Sequence, residues 1–145
     1  MSQAPHVLVV DPDPATREWI EVHLRRDGHA VAGVGDGAAA LREIDTRTPA
    51  AGVLALALQD VAGLELLRTL RATHPGLPVI VVSAAESIDA AVDCMRLGAS
   101  DFLQKPIDRE RLVRSVRNAR DRERLAPHVV LPADATDERG FGTIV

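Results

Sequence analysis

Cysteine is nearly absent from this chain. Cys94 is the single copy, so no disulfide can close within it. Tyrosine is missing altogether, and the aromatic rings are confined to Trp19, Phe102 and Phe141. No apolar run approaches the roughly 20 residues that a membrane-spanning helix needs. Residues 1–5 are too short and polar for a signal peptide. These gaps exclude a disulfide-stapled scaffold and a helical membrane protein, and the expectation is a cytoplasmic α/β domain without membrane contact. A net charge of −4 gives the whole chain no electrostatic case for binding nucleic acid. The five histidines are scattered without metal-ligand spacing, and neither a Gly-rich phosphate loop nor a nucleophile–base constellation is visible. Lysine is as rare as cysteine. Lys105 stands alone among 17 basic residues, which singles it out as a candidate for a specific role.

What is present is a regular alternation of apolar runs and helix signals over 145 residues. Val7 to Val10 is a buried first strand ending at Asp11. Asp13 followed by Pro14 starts a helix that carries Trp19, Ile20 and Leu24 inward and stops near Gly28. Ala30 to Val34 is a short second strand. Asp36-Gly37 opens a second helix, which ends before Pro49. Gly52 to Leu58 is an apolar run bounded by turn-type residues, as in a strand buried on both faces. A third helix covers about Leu64 to Thr73. Val79 to Val82 form a fourth strand that ends at Ser83. Ser87 is expected to cap a fourth helix with Ile88, Ala91, Val92 and Met95 along it, closed by Gly98, and Cys94 on it reads as a small packing residue. Asp101 to Leu103 form a fifth strand leading into Lys105-Pro106. Asp108 caps a last helix with Leu112, Val113, Val116 and Ala119 inward and arginines outward.

Five strands alternating with five helices give a doubly wound (βα)5 parallel sheet, for which the order 2-1-3-4-5 follows naturally from right-handed crossovers. The crevice of such a sheet lies beyond the C-terminal strand ends. Asp11, Asp13, Ala55, Ser83 and Lys105 collect there.

Four stretches carry a resemblance: Val9-Val10-Asp11, Gly63-Leu64-Glu65-Leu66-Leu67, Val82-Ser83-Ala84, and Gly98 through Pro106 (Gly-Ala-Ser-Asp-Phe-Leu-Gln-Lys-Pro). In this order and spacing the chain resembles the CheY-like receiver domains of bacterial response regulators over residues 6 to about 120. The resemblance implies a phosphorelay mechanism. An Asp ending the third strand takes a phosphoryl group from a histidine kinase, and acidic residues after the first strand help hold Mg²⁺. A Ser or Thr after the fourth strand then meets the phosphate, a Lys after the fifth neutralises it, and an aromatic on the fifth strand moves inward. Ser83, Lys105 and Phe102 match the last three roles, and Lys105 precedes Pro106, a bond that is cis in this family.

Two other positions depart from the pattern. Counted from Gly63-Leu64-Glu65 and checked against Ser83 and Lys105, the phosphoacceptor position falls on Ala55. The second member of the acidic pair is Pro12, beside Asp11. Mg²⁺ wants carboxylates among near-octahedral oxygens, so Mg²⁺ binding is expected to be lost and no cofactor is expected. Asp11 and Lys105 are expected to pair where the metal would sit. Asp60 and Asp13 are the possible substitute acids. Asp60 reads better as a turn aspartate, and Asp13 better as a helix cap. The arginines from Arg109 to Arg124 alternate with Asp108, Glu110, Asp121 and Glu123, which favours a solvated helix face over nucleic-acid contact.

The receiver-like domain is expected to span residues 6–124, with 125–145 a linker or tail. Within that tail, Arg139 to Val145 resemble the entry to the AAA+ domain of sigma-54-dependent activators. The expected function is that of a pseudo-receiver, not an enzyme, which signals through protein contacts or self-association on the face of the fourth helix, fifth strand and fifth helix. A phosphorylatable receiver using a displaced acid, and an inactive N-terminal fragment of an activator, are the alternatives.

Overall fold

The computed structural model describes residues 6–58, 62–84 and 88–125, the last four through their backbone only. Strands β1 (His6–Val10), β2 (Ala30–Val34), β3 (Ala51–Ala55), β4 (Val79–Ser83) and β5 (Asp101–Gln104) alternate with helices α1 (Pro14–Arg26), α2 (Gly37–Thr46), α3 (Gly63–Thr73), α4 (Ile88–Arg96) and α5 (Arg109–Leu125). All strand pairs are parallel, in the order β2-β1-β3-β4-β5. The expected doubly wound sheet is therefore the fold.

Alternation along each strand sorts two cores. Val7, Val9, Val53, Ile80 and Val82 meet Ile20 and Leu24 of α1 and Leu112, Val116 and Ala119 of α5. Leu8, Val10, Leu54, Val79 and Val81 face the other way, toward Ile44 of α2, Leu66, Leu67 and Leu70 of α3, and Cys94 of α4. Both faces of β1, β3 and β4 are covered, which is why their sequences are almost wholly apolar, with His6 and Ser83 the polar residues at two strand ends.

Helix starts follow their caps. The Asp13 carboxylate accepts from the Ala15 N–H at 3.2 Å, and that of Asp36 from the Ala39 N–H at 2.8 Å. Asp108 accepts from the Arg111 N–H at 2.9 Å. Gly28 leaves α1 at φ +93°, a conformation that costs other residues a steric clash at Cβ.

The structure changes one reading and adds detail to two others. The third strand ends at Ala55, not Leu58, because its neighbour β4 ends at Ser83 and offers no further backbone partners after Leu56 N–H meets the Val82 carbonyl at 2.9 Å. Leu56 and Leu58 lie in the following loop and pack on the α2–α3 core. On α4, Cys94 is buried, in keeping with its reading as a packing residue, while Ile88 (81% exposed), Val92 and Met95 face outward. On α5, three arginines turn back onto the domain: Arg111 binds Asp101, Arg117 binds Asp27 and Arg120 binds His29. Arg111 and Arg117 stay exposed while they fasten the helix, so the expected solvated face also carries ion pairs to the rest of the domain. The readings of Ser87, Asp60 and the tail beyond Leu125 fall outside the described residues.

Candidate functional site

Register sets the site. Val10 of β1 lies beside Leu54 of β3, and Ala55 beside Val82 of β4. Asp11, Ala55 and Ser83 thus stand at the C-terminal edge of three adjacent strands. The chain brings Lys105 to the same edge by donating its backbone N–H to the Ser83 carbonyl at 2.8 Å. The Lys105–Pro106 peptide bond is cis.

Asp11 is 1% exposed, and its polar atoms are committed. One carboxylate oxygen accepts from the Asp13 N–H at 2.9 Å, and the other from Lys105 Nζ at 3.1 Å. Its carbonyl accepts from Arg17 Nη1 at 2.7 Å, a support from α1 that no sequence motif signals. The expected Asp11–Lys105 ion pair is therefore formed. Lys105 keeps part of its side chain in water, whereas the carboxylate has almost none. The lysine offsets a charge that burial would otherwise penalise heavily.

Asp13 is not drawn into this pair. Its side chain is exposed and turned to the start of α1, where Thr16 Oγ1 donates to it at 2.6 Å. That hydrogen bond is the main cause holding its carboxyl below the usual range. Ser83 is buried beside the pair at the end of β4. Ala55 is 3% exposed and contributes a methyl group. Gly63 closes the β3 side. A Cβ on it would sit 2.4 Å from the Leu56 carbonyl oxygen and 2.8 Å from that of Ala55, so α3 can start this close only from glycine.

As a donor set for Mg²⁺, these residues do not fit. The two oxygens of Asp11 are held by an N–H and an ammonium, the carboxylate of Asp13 caps a helix, and Pro12 and Ala55 supply no side-chain oxygen. The arrangement can hold a buried charge pair, and it places no nucleophile where residue 55 stands.

Two concavities flank the edge. One, of about 360 Å³, is walled by Thr16, Trp19, Lys105 and Ile107. The other, of about 860 Å³, runs between α4 and α5 over β5, past Ile88, Ala91, Phe102, Gln104 and Arg114. Phe102 is half-buried there and packs on the α2–α3–α4 core.

The family model for the response regulator receiver domain matches residues 7–117. Response regulator MprA of Mycobacterium ulcerans is 38% identical over 111 residues, covering 77% of this chain and 48% of that protein. The transcriptional regulatory protein GlrR of Escherichia coli is 31% identical over 146 aligned positions, which take in all of this chain and 31% of GlrR. The chain thus spans less than half the length of these curated relatives. Among solved structures, the receiver domain of NtrX from Brucella abortus superposes with a TM-score of 0.77 at 34% identity, covering 79% of this chain and 98% of that one.

Proposed function

This chain belongs to the response regulator receiver domain family of two-component systems, and within that family we propose that it is a pseudo-receiver, which conveys its state by protein contact without accepting phosphate. The observation that carries the reading is the C-terminal edge of the sheet. Residue 55 is an alanine, and the buried carboxylate beside it, Asp11, is already neutralised by Lys105. No acyl phosphate can form on a methyl group. A site whose one buried acid among the described residues is already paired needs no Mg²⁺ to relieve repulsion.

The output surface in this reading is the face of α4, β5 and α5. Ile88, Val92 and Met95 recur at helical spacing on α4 and are exposed to 81%, 39% and 48%. Ile88 lines the groove over Phe102, and an apolar stripe of this kind suits a protein partner or a second copy of the chain. Asp101 fixes the far side of that face. It accepts from Arg111 at 2.9 and 3.2 Å and from Ser115 Oγ at 2.9 Å, so α5 is held against β5 with no ligand involved.

Incubation with acetyl phosphate and millimolar Mg²⁺, followed by intact mass spectrometry, tests the reading. The mass is expected to stay unchanged. A gain of one phosphoryl group that hydroxylamine removes would overturn it and would direct attention to a displaced acid, Asp60 or Asp11.

A further inference from the structure

A second polar cluster lies where α1 meets β2, far along the sheet from Asp11 and Lys105. Asp27 is the C-cap residue of α1, and His29 immediately precedes β2. Arg117 of α5 grips the Asp27 carboxylate twice, through Nε to Oδ2 at 2.9 Å and through Nη2 to Oδ1. His29 Nε2 lies 3.1 Å from Asp27 Oδ2, and Arg120 Nη1 lies 2.7 Å from His29 Nδ1. The His29 side chain is 9% exposed.

These contacts fix the tautomer. A guanidinium can only donate, so Nδ1 must accept from Arg120. The ring proton therefore sits on Nε2 and is donated to Asp27. Neutral His29 is a bridge from the end of α1 to the second half of α5. The charged groups around it are Asp27 at the end of α1, Arg117 and Arg120 from α5, and, through Arg120, His6 from β1 with Glu43 of α2 and its C-cap residue Arg47 behind it.

We infer that this bridge is a proton-sensitive latch on α5: neutral His29 holds the second half of the helix through Arg120, and protonated His29 gives up that hold. Protonation adds an N–H at Nδ1, where Arg120 already donates. That hydrogen bond is lost, and an imidazolium then faces a guanidinium at contact distance. The Arg117–Asp27 pair remains, so the helix loosens without leaving the domain. Burial first, and Arg120 second, lower the His29 pKa against the pull of Asp27. The latch is therefore closed at neutral pH and opens only below the ordinary imidazole value. It sits on the helix that also supplies Arg111 and Arg114 to the α4–α5 groove.

Nitrogen-15 NMR of the intact chain and amide exchange across pH 7.5 to 5.0, corrected for intrinsic exchange, test the latch. The expected result at pH 7.5 is a His29 ring protonated at Nε2 and bare at Nδ1. Protection of residues 117–124 should fall at least tenfold more than that of residues 110–116 as His29 titrates. His29→Gln, whose side-chain oxygen can still accept from Arg120, should abolish that selective fall, and His6→Leu should leave it in place. A proton on Nδ1, equal changes in both halves of α5, or a selective fall that survives in His29→Gln would each overturn the latch. Should His29→Gln fail to fold, a mismatch between the wild-type His29 titration midpoint and the midpoint of protection loss overturns it equally.

Discussion

At the C-terminal ends of β1, β3 and β4 the sheet presents Asp11, Ala55 and Ser83. At the N-terminal ends of β1 and β2 it presents His6 and His29. The first edge holds a matched pair, Asp11 with Lys105, in which the carboxylate has its charge answered within the fold. The second holds bases that burial keeps neutral, near the arginines 47, 117 and 120. His6 is 1% exposed and has neither ring nitrogen hydrogen-bonded, with Glu43 at 3.6 Å as its nearest opposite charge. The fold thus gathers its crevice at one edge and, at the other, groups that take up a proton only below the ordinary imidazole value. A concave position and the capacity to titrate are separate properties, and this chain places them apart.

The largest functional change is expected from returning acid to the first edge. Ala55→Asp alone buries a second carboxylate level with Asp11. One of the two must take an elevated pKa, and stability should fall by about 2 kcal/mol without Mg²⁺. Pro12→Asp alone adds a ligand and no acceptor. The two changes together should restore Mg²⁺ binding and phosphorylation at residue 55, read as a mass gain and as a non-additive stability change in a double-mutant cycle with and without Mg²⁺. A folded double mutant that shows neither would mean that residue 55 is not the acceptor position.

Lys105→Met leaves the Asp11 carboxylate buried and unpaired. The cost should be about 2–3 kcal/mol, less than for a fully buried pair because Lys105 is 26% exposed. Urea denaturation at pH 7 measures it, and an unchanged midpoint would show that the two edges differ less than the contacts suggest. Gly63→Ala should cost about 1–3 kcal/mol, since the new methyl would meet backbone atoms of the β3–α3 connection and not a movable side chain.

Acid should act on the second edge first. The pKa values of His6 and His29 are lowered by burial, so the unfolded chain binds more protons near the ordinary imidazole value of 6.5. The stability they contribute is complete above that pH and is lost as pH falls toward their folded values. The melting temperature should therefore drop between pH 7 and pH 5, and His6→Leu should flatten the slope. An acid slope unchanged in that variant would remove His6 from the account. The smallest effect on stability is expected from Ile88→Glu on α4. It should shift stability by no more than about 0.5 kcal/mol while weakening any self-association seen by sedimentation.

Periodicity and capping made most of the fold legible. Asp13-Pro14, Asp36-Gly37 and Asp108 mark helix starts that the chain uses, because a cap is satisfied by backbone within three residues of itself. The end of β3 was not legible. Leu56 and Leu58 continue the apolar run of Gly52 to Ala55, and strand extent depends on where the neighbouring strand stops. In the candidate site, Asp11, Ser83 and Lys105 could be placed at one edge from the order of elements alone. Arg17, which holds the Asp11 carbonyl, could not, because its spacing on α1 looks like that of any solvated arginine.

By itself, then, the sequence determined which strands are buried on both faces, where the helices begin, and that residue 55 carries no carboxylate. These are local or compositional facts, fixed by side-chain chemistry and short-range hydrogen bonding. Only the tertiary structure decided which charges meet. Lys105 reaches Asp11 across 94 positions, Arg117 reaches Asp27 across 90, and Arg120 reaches His29 across 91. Such pairs depend on β5 and α5 folding back beside the strands and helices that began the chain, and no local pattern of charge encodes the distance at which they end.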